Sequence, residues 1–156
     1  MYTLDKAISN YKEDLKKLIT KFENDLNDKK FETIYTYISD YFDDAEAPAF
    51  TALLLKNNIN PLEYMDYIPE YFTFDLDIES FAIPNNITHI GNYAFQYSGL
   101  KSIHIPKSVI NIGKAVFYEC NSLTDVYYKG SEEDWKNIKI EYANASLFGA
   151  NIHYNS

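Results

Sequence analysis

Ser102, His104 and Asp125 are the three residue types of a nucleophilic triad: a hydroxyl to attack, an imidazole to take its proton and a carboxylate to orient the ring. Strand alternation brings them together. With Ile103 and Ile105 pointing inward, Ser102 and His104 point outward, and neighbouring strands present Ser80 and Ala82 on one side, Asp125 and Tyr127 on the other. Acyl transfer also needs oxyanion donors and a cleft, and an open sheet face supplies neither. The expectation is therefore no enzyme and no catalytic residues. The row Ala82, Ser102, His104, Asp125 and Tyr127 is either a solvated face or a protein-contact surface.

A second cluster carries charge. Asp40, Asp43, Asp44 and Glu46 place four carboxylates in seven residues beside Tyr37, Tyr41 and Phe42. A calcium loop would need alternating ligands and a central glycine, both missing here. The alternatives are a solvated loop ahead of Pro48 or an acidic-aromatic contact surface made by Tyr37, Asp40, Tyr41, Asp43, Asp44 and Glu46. His89, His104 and His153 lack metal-ligand spacing, and the one cysteine, Cys120, gives no zinc ligand set with them. No glycine cluster is present to cradle a phosphate. No metal and no cofactor are expected.

The 156 residues carry 23 acidic and 14 basic side chains, a formal charge of -9, and every basic residue is a lysine. No direct nucleic-acid binding is expected on such a balance, since it rests on a basic surface that releases counterions. Neither a signal peptide nor an 18-residue apolar window is visible, which implies a cytoplasmic protein without a membrane segment. The sequons at Asn86 and Asn144 then carry no glycan.

The chain changes character near residues 70–78. All five glycines follow residue 90, whereas residues 1–75 hold 15 acids against 8 lysines. The division expected is an acidic helical domain over 1–75 and a strand-and-turn domain over 76–156. Leu4, Ile8, Tyr11, Leu15, Leu18 and Phe22 predict one helix over about Thr3–Asn27, either docked on the core or seamed to a second copy as a homodimer. Phe31, Ile34, Tyr35, Ile38 and Phe42 form a second helical face. A third helix is expected from Pro48, and a short one from Asn60-Pro61.

The second half repeats at an offset of 22, which superposes Phe81 on Ile103, Ile83 on Ile105, Pro84 on Pro106, Ile90 on Ile112, Gly91 on Gly113 and Phe95 on Phe117. A third copy places Val126 and Tyr128 in the strand positions. Such a period predicts a stack of units, each supplying one strand. The run Leu100 to Gly113, with Phe117, Cys120 and Leu123, resembles the BspA-like (Treponema-type) leucine-rich repeat. Val116 stands where that family has alanine, and Ser98 where it has cysteine.

The resemblance implies an α+β fold, with the helical half capping a solenoid of two to three repeats. Ser131 and Asp134 form a near capping box, Trp135 closes the far end, and Asn151–Tyr154 adds a last strand. It also implies a non-enzymatic protein-interaction module. Small size and acidity suggest an intracellular inhibitor or adaptor of the phage or mobile-element type, acting on a basic nucleic-acid-binding host protein. The alternative it implies is a piece or relative of a bacterial surface adhesion or virulence protein.

Overall fold

A computed structural model describes residues 1–156, with helices first and parallel strands after. Three helices, α1 (Leu4–Asn10), α2 (Lys12–Lys21) and α3 (Glu23–Asn27), replace the single one expected over Thr3–Asn27. The breaks fall at Tyr11 and Phe22, where φ is -114° and -111°. Backbone bonds from Leu15 N to Tyr11 O and from Leu26 N to Phe22 O, both 2.9 Å, carry the helical path across the breaks. Both residues are rings of the apolar stripe, and both pack against the core. The stripe therefore lies inside the chain, with Leu15 and Leu18 buried, as the docked alternative has it.

Helix α4 (Phe31–Tyr41) buries Phe31, Ile34, Tyr35 and Ile38. Helix α5 (Glu46–Lys56) begins two residues before Pro48, which sits in the first turn, where a missing N–H leaves no bond unmade. Residues Glu46 to Ala52 of α5 are all buried, so this helix runs through the core. A 3-10 turn over Pro61–Tyr64 follows, capped by the Asn60 side chain, which accepts from Leu62 N at 3.1 Å.

Eight short strands follow: β1 (Tyr67–Ile68), β2 (Ser80–Ala82), β3 (His89–Ile90), β4 (Ser102–Ile105), β5 (Asn111–Ile112), β6 (Asp125–Tyr128), β7 (Lys139–Ile140) and β8 (Asn151–His153). They form two parallel ladders, β1-β3-β5-β7 and β2-β4-β6-β8. Each unit thus supplies two strands and not the one expected. The extra strand is the Ile-Gly segment, whose isoleucine points into the core while its glycine meets the coil before it. A Cβ on Gly91 would lie 2.6 Å from Ile68 O, and one on Gly113 2.9 Å from Ile90 O. These glycines serve close backbone approach, since no glycine here has positive φ. Positive φ falls instead on Tyr71, Tyr93 and Ala115, and on Asp75, Tyr97 and Glu119, both sets 22 residues apart. The repeating turn begins at residue 71, ahead of the expected division at 76.

A single cluster of 34 buried residues runs from Leu15 through both ladders to Leu147. At its centre Phe95 lies parallel to Phe117, ring centres 5.7 Å apart, with Phe72 and Phe81 set against it edge-on or tilted. The chain start joins the repeat end-on: Tyr2 N donates to Asp75 O at 2.7 Å, and Asp77 N donates to Tyr2 O at 2.8 Å. At the far end Ser131 and Asp134 make the full capping box of α6 (Glu132–Lys136). Trp135 is buried edge-on to Tyr128, and α7 (Ala145–Gly149) leads into β8. Ser98 replaces the family cysteine without strain: its hydroxyl donates to Phe95 O at 2.7 Å, and the Cys120 thiol donates to that same oxygen at 3.0 Å.

Candidate functional site

The end of α4 and the loop to α5 expose Asp40, Tyr41, Phe42, Asp43 and Asp44, and Tyr41 is 73% accessible. Tyr37 anchors it. Its ring packs on Tyr41 at 4.9 Å, Phe42 at 5.5 Å and Phe22 at 5.0 Å. Lys21 Nζ lies 4.0 Å from the centre of that ring and donates to the Tyr37 hydroxyl at 2.7 Å. Asp43 accepts from Ala45 N at 2.9 Å, turning the chain into α5.

Glu46 departs from the expectation of a solvated carboxylate. It is only 8% exposed, and its Oε2 has no partner. Burial, then the hydrogen bond it shares with Asp43, then the charges of Asp43 and Asp14 push its carboxyl up to about 7. Asp43 moves down, because it accepts from Glu46 and from Ala45 N–H. A raised acid pKa means that the folded protein holds a proton the unfolded chain has released. Glu46 thus favours folding below about pH 4.5, and that contribution is lost as pH rises to about 7. Glu46→Gln keeps a donor to Asp43 and removes the titration. The variant is expected to gain about 1–2 kcal/mol over wild type at pH 8 after discounting for solvent, and nothing at pH 4.5. Thermal melts across this range check it, and equal pH slopes would refute it.

On the second ladder, register sets Ala82, His104, Tyr127 and His153 in one outward row and Ser80, Ser102, Asp125 and Asn151 in the next. The triad types are neighbours without the triad's wiring. Ser102 Oγ donates to Ser80 Oγ at 3.2 Å, and Asp125 meets His153 Nε2 at 2.7 Å. The His104 ring instead lies on Tyr127, centres 4.7 Å apart, and Tyr127 lies on His153 at the same distance. The bond from His153, then one from Thr124 Oγ1, lowers the Asp125 carboxyl. A carboxylate held by His153 orients the wrong imidazole for Ser102. No three histidine, cysteine or acidic side chains converge as a metal site.

Residues 66–139 match the family model described as BspA type leucine rich repeat region (6 copies). These residues are a BspA-type leucine-rich repeat. Leucine-rich repeats generally bind proteins, and stacking repeats creates the extended surface they use. The BspA-type region begins at 66, so it includes β1 and the turn at Tyr71. The chain is also similar to a leucine rich cell surface protein from Faecalibacterium prausnitzii A2-165, at 32% identity over 47% of this chain and 20% of that one, with a TM-score of 0.41. It thus spans a fifth of that relative's length. No curated protein matches the chain. No helix is long and apolar enough to cross a membrane.

Two residues beyond the matched span escaped the sequence reading. His153 completes the ring stack, and alternation around Ile152 on the last strand would have placed it opposite Tyr127. Asn144, which reads as a sequon, is a buried latch between coils: its Oδ1 accepts from Phe117 N and its Nδ2 donates to Gly113 O, both at 2.9 Å. Nothing local in the sequence marks that role.

Proposed function

We propose that the chain is a non-enzymatic protein-binding module of the inhibitor or adaptor kind, which captures a basic protein through its α4–α5 loop. The observation that carries this is charge without a partner. Seven ion pairs and the His153 contact engage carboxylates elsewhere, while the exposed Asp40, Asp43 and Asp44 meet no lysine. Exposed Tyr41 and Phe42 beside them supply the apolar anchors typical of binding hot spots. A nucleic-acid-binding host protein presents the complementary charge, and steering by opposite fields would speed encounter.

The test is capture from a host lysate followed by affinity measurement at rising salt. Affinity is expected to fall about tenfold or more between roughly 50 and 300 mM salt. Combined Asp40→Asn, Asp43→Asn and Asp44→Asn should remove most of that dependence, and binding indifferent to both would refute the proposal. The stacked rings of His104, Tyr127 and His153 favour a second reading, in which the outer ladder face is the contact surface. Loss of capture in Tyr127→Ala, with the loop variants unaffected, would select it.

A further inference from the structure

Between the chain start, the α4–α5 loop and the turn leading to β2 lies a cavity of about 240 Å³. Its wall holds three rings, Tyr2, Tyr11 and Phe74, two carboxylates, Asp44 and Asp75, and Pro48. The volume equals about eight water molecules, room for the end of one long side chain. Asp75 is engaged by the Met1 ammonium at 3.0 Å, and Asp44 meets no cation. Next to Ala45 of the wall, Glu46 is more than nine-tenths buried with Oε2 unpaired. The negative field reaches Tyr11, whose hydroxyl is pushed up first by burial, then by Tyr2, Asp43, Glu46 and Asp44.

Elsewhere the protein fills such sites itself. Lys21 lies 4.0 Å from the Tyr37 ring centre, Lys29 4.6 Å from Tyr64, and Lys114 5.3 Å from both Tyr93 and Tyr142. At this cavity Lys6 lies 5.5 Å from the outer Tyr2 ring, but no lysine lies over Tyr11 or Phe74 and none lines the wall. Aromatic rings with a carboxylate beside them favour a cation over a neutral chain of equal size.

We propose that this cleft receives one lysine or arginine side chain of the partner protein, held against Tyr2, Tyr11 and Phe74 and paired with Asp44. The proposal rests on the basic-partner reading for the source of the cation, but its chemistry is testable without the partner. The probes are three short capped peptides that differ at one position: lysine, trimethyl-lysine or norleucine. NMR titration of the full chain should show the first two perturbing Tyr2, Tyr11 and Phe74 signals and saturating, while norleucine binds at least tenfold more weakly. Asp44→Asn should weaken the lysine peptide about fivefold or more, and Asp44→Lys, which supplies an ammonium of its own, should abolish binding. Asp44 is exposed, so neither variant threatens the fold. Equal binding of norleucine, or an Asp44→Asn variant that binds like wild type, overturns the cleft. If salt-sensitive capture of a basic partner survives Asp44→Lys, the cleft falls and the function stands. If the lysine peptide binds but captured partners are indifferent to salt, the function falls and the cleft stands.

Discussion

Phe95→Ala is expected to cost about 3–5 kcal/mol, the range for truncating a buried phenylalanine in a core that cannot collapse around the gap. Collapse is resisted here because Phe95 has no exposure and is held by three other rings, with Phe117 stacked at 5.7 Å and 3°. Against a typical stability of 5–15 kcal/mol, one substitution removes a large share of the margin. Urea unfolding measures the loss. A value within about 1 kcal/mol of wild type would mean that the ring stack contributes little. The same experiment probes the division at residue 76. Trp135, the lone tryptophan, reports on the far end of the ladders, and far-ultraviolet dichroism reports on the helices. One cluster spans both halves, so the two signals are expected to move together in wild type and variant alike. A helical signal that outlasts the tryptophan transition would establish two separately folding units.

Asn144→Ala is expected to lower the melting temperature by about 10 °C, from a loss of about 3–4 kcal/mol. The side chain is 2% exposed and serves four backbone groups: Phe117 N–H, and the carbonyls of Gly113, Glu141 and Tyr142. Truncation leaves the Phe117 N–H and the Gly113 carbonyl without their side-chain partner inside the protein. Asn144→Asp should be no better, because its carboxylate can accept from Phe117 but faces the same carbonyls with two acceptors. Hydrogen exchange at Phe117 locates the effect, and unchanged protection there in Asn144→Ala would exclude the latch.

Local signals in the chain carried much of this architecture. The offsets of 22 and 23 that align Phe81 with Ile103 and Ile103 with Val126 are the ladder register itself, since stacked coils pair equivalent residues. Apolar spacing located α4, and Ser131 with Asp134 marked the start of α6, because capping is decided within four residues. Pairings between distant segments were hidden. Spacing could not show the breaks at Tyr11 and Phe22, because a stripe continues through a kink when both rings still face the core. The strand before Gly91 went unseen as a strand because two residues are too few for a pattern, and only the next coil makes them a rung.

Residue type and period were enough for a helical half, a repeating half and a short roster of chemically capable side chains. Which of those side chains meet was settled by packing. Asp125 stands opposite Ser102, yet His153, from a strand with no place in the repeat period, takes its carboxylate. Glu46 reads as one more acid of a solvated loop, yet α5 carries it into the interior, where desolvation outweighs its charge. Composition is additive along the chain, whereas burial and partner choice depend on segments far apart in it, and these turned an acidic loop into a candidate docking cleft.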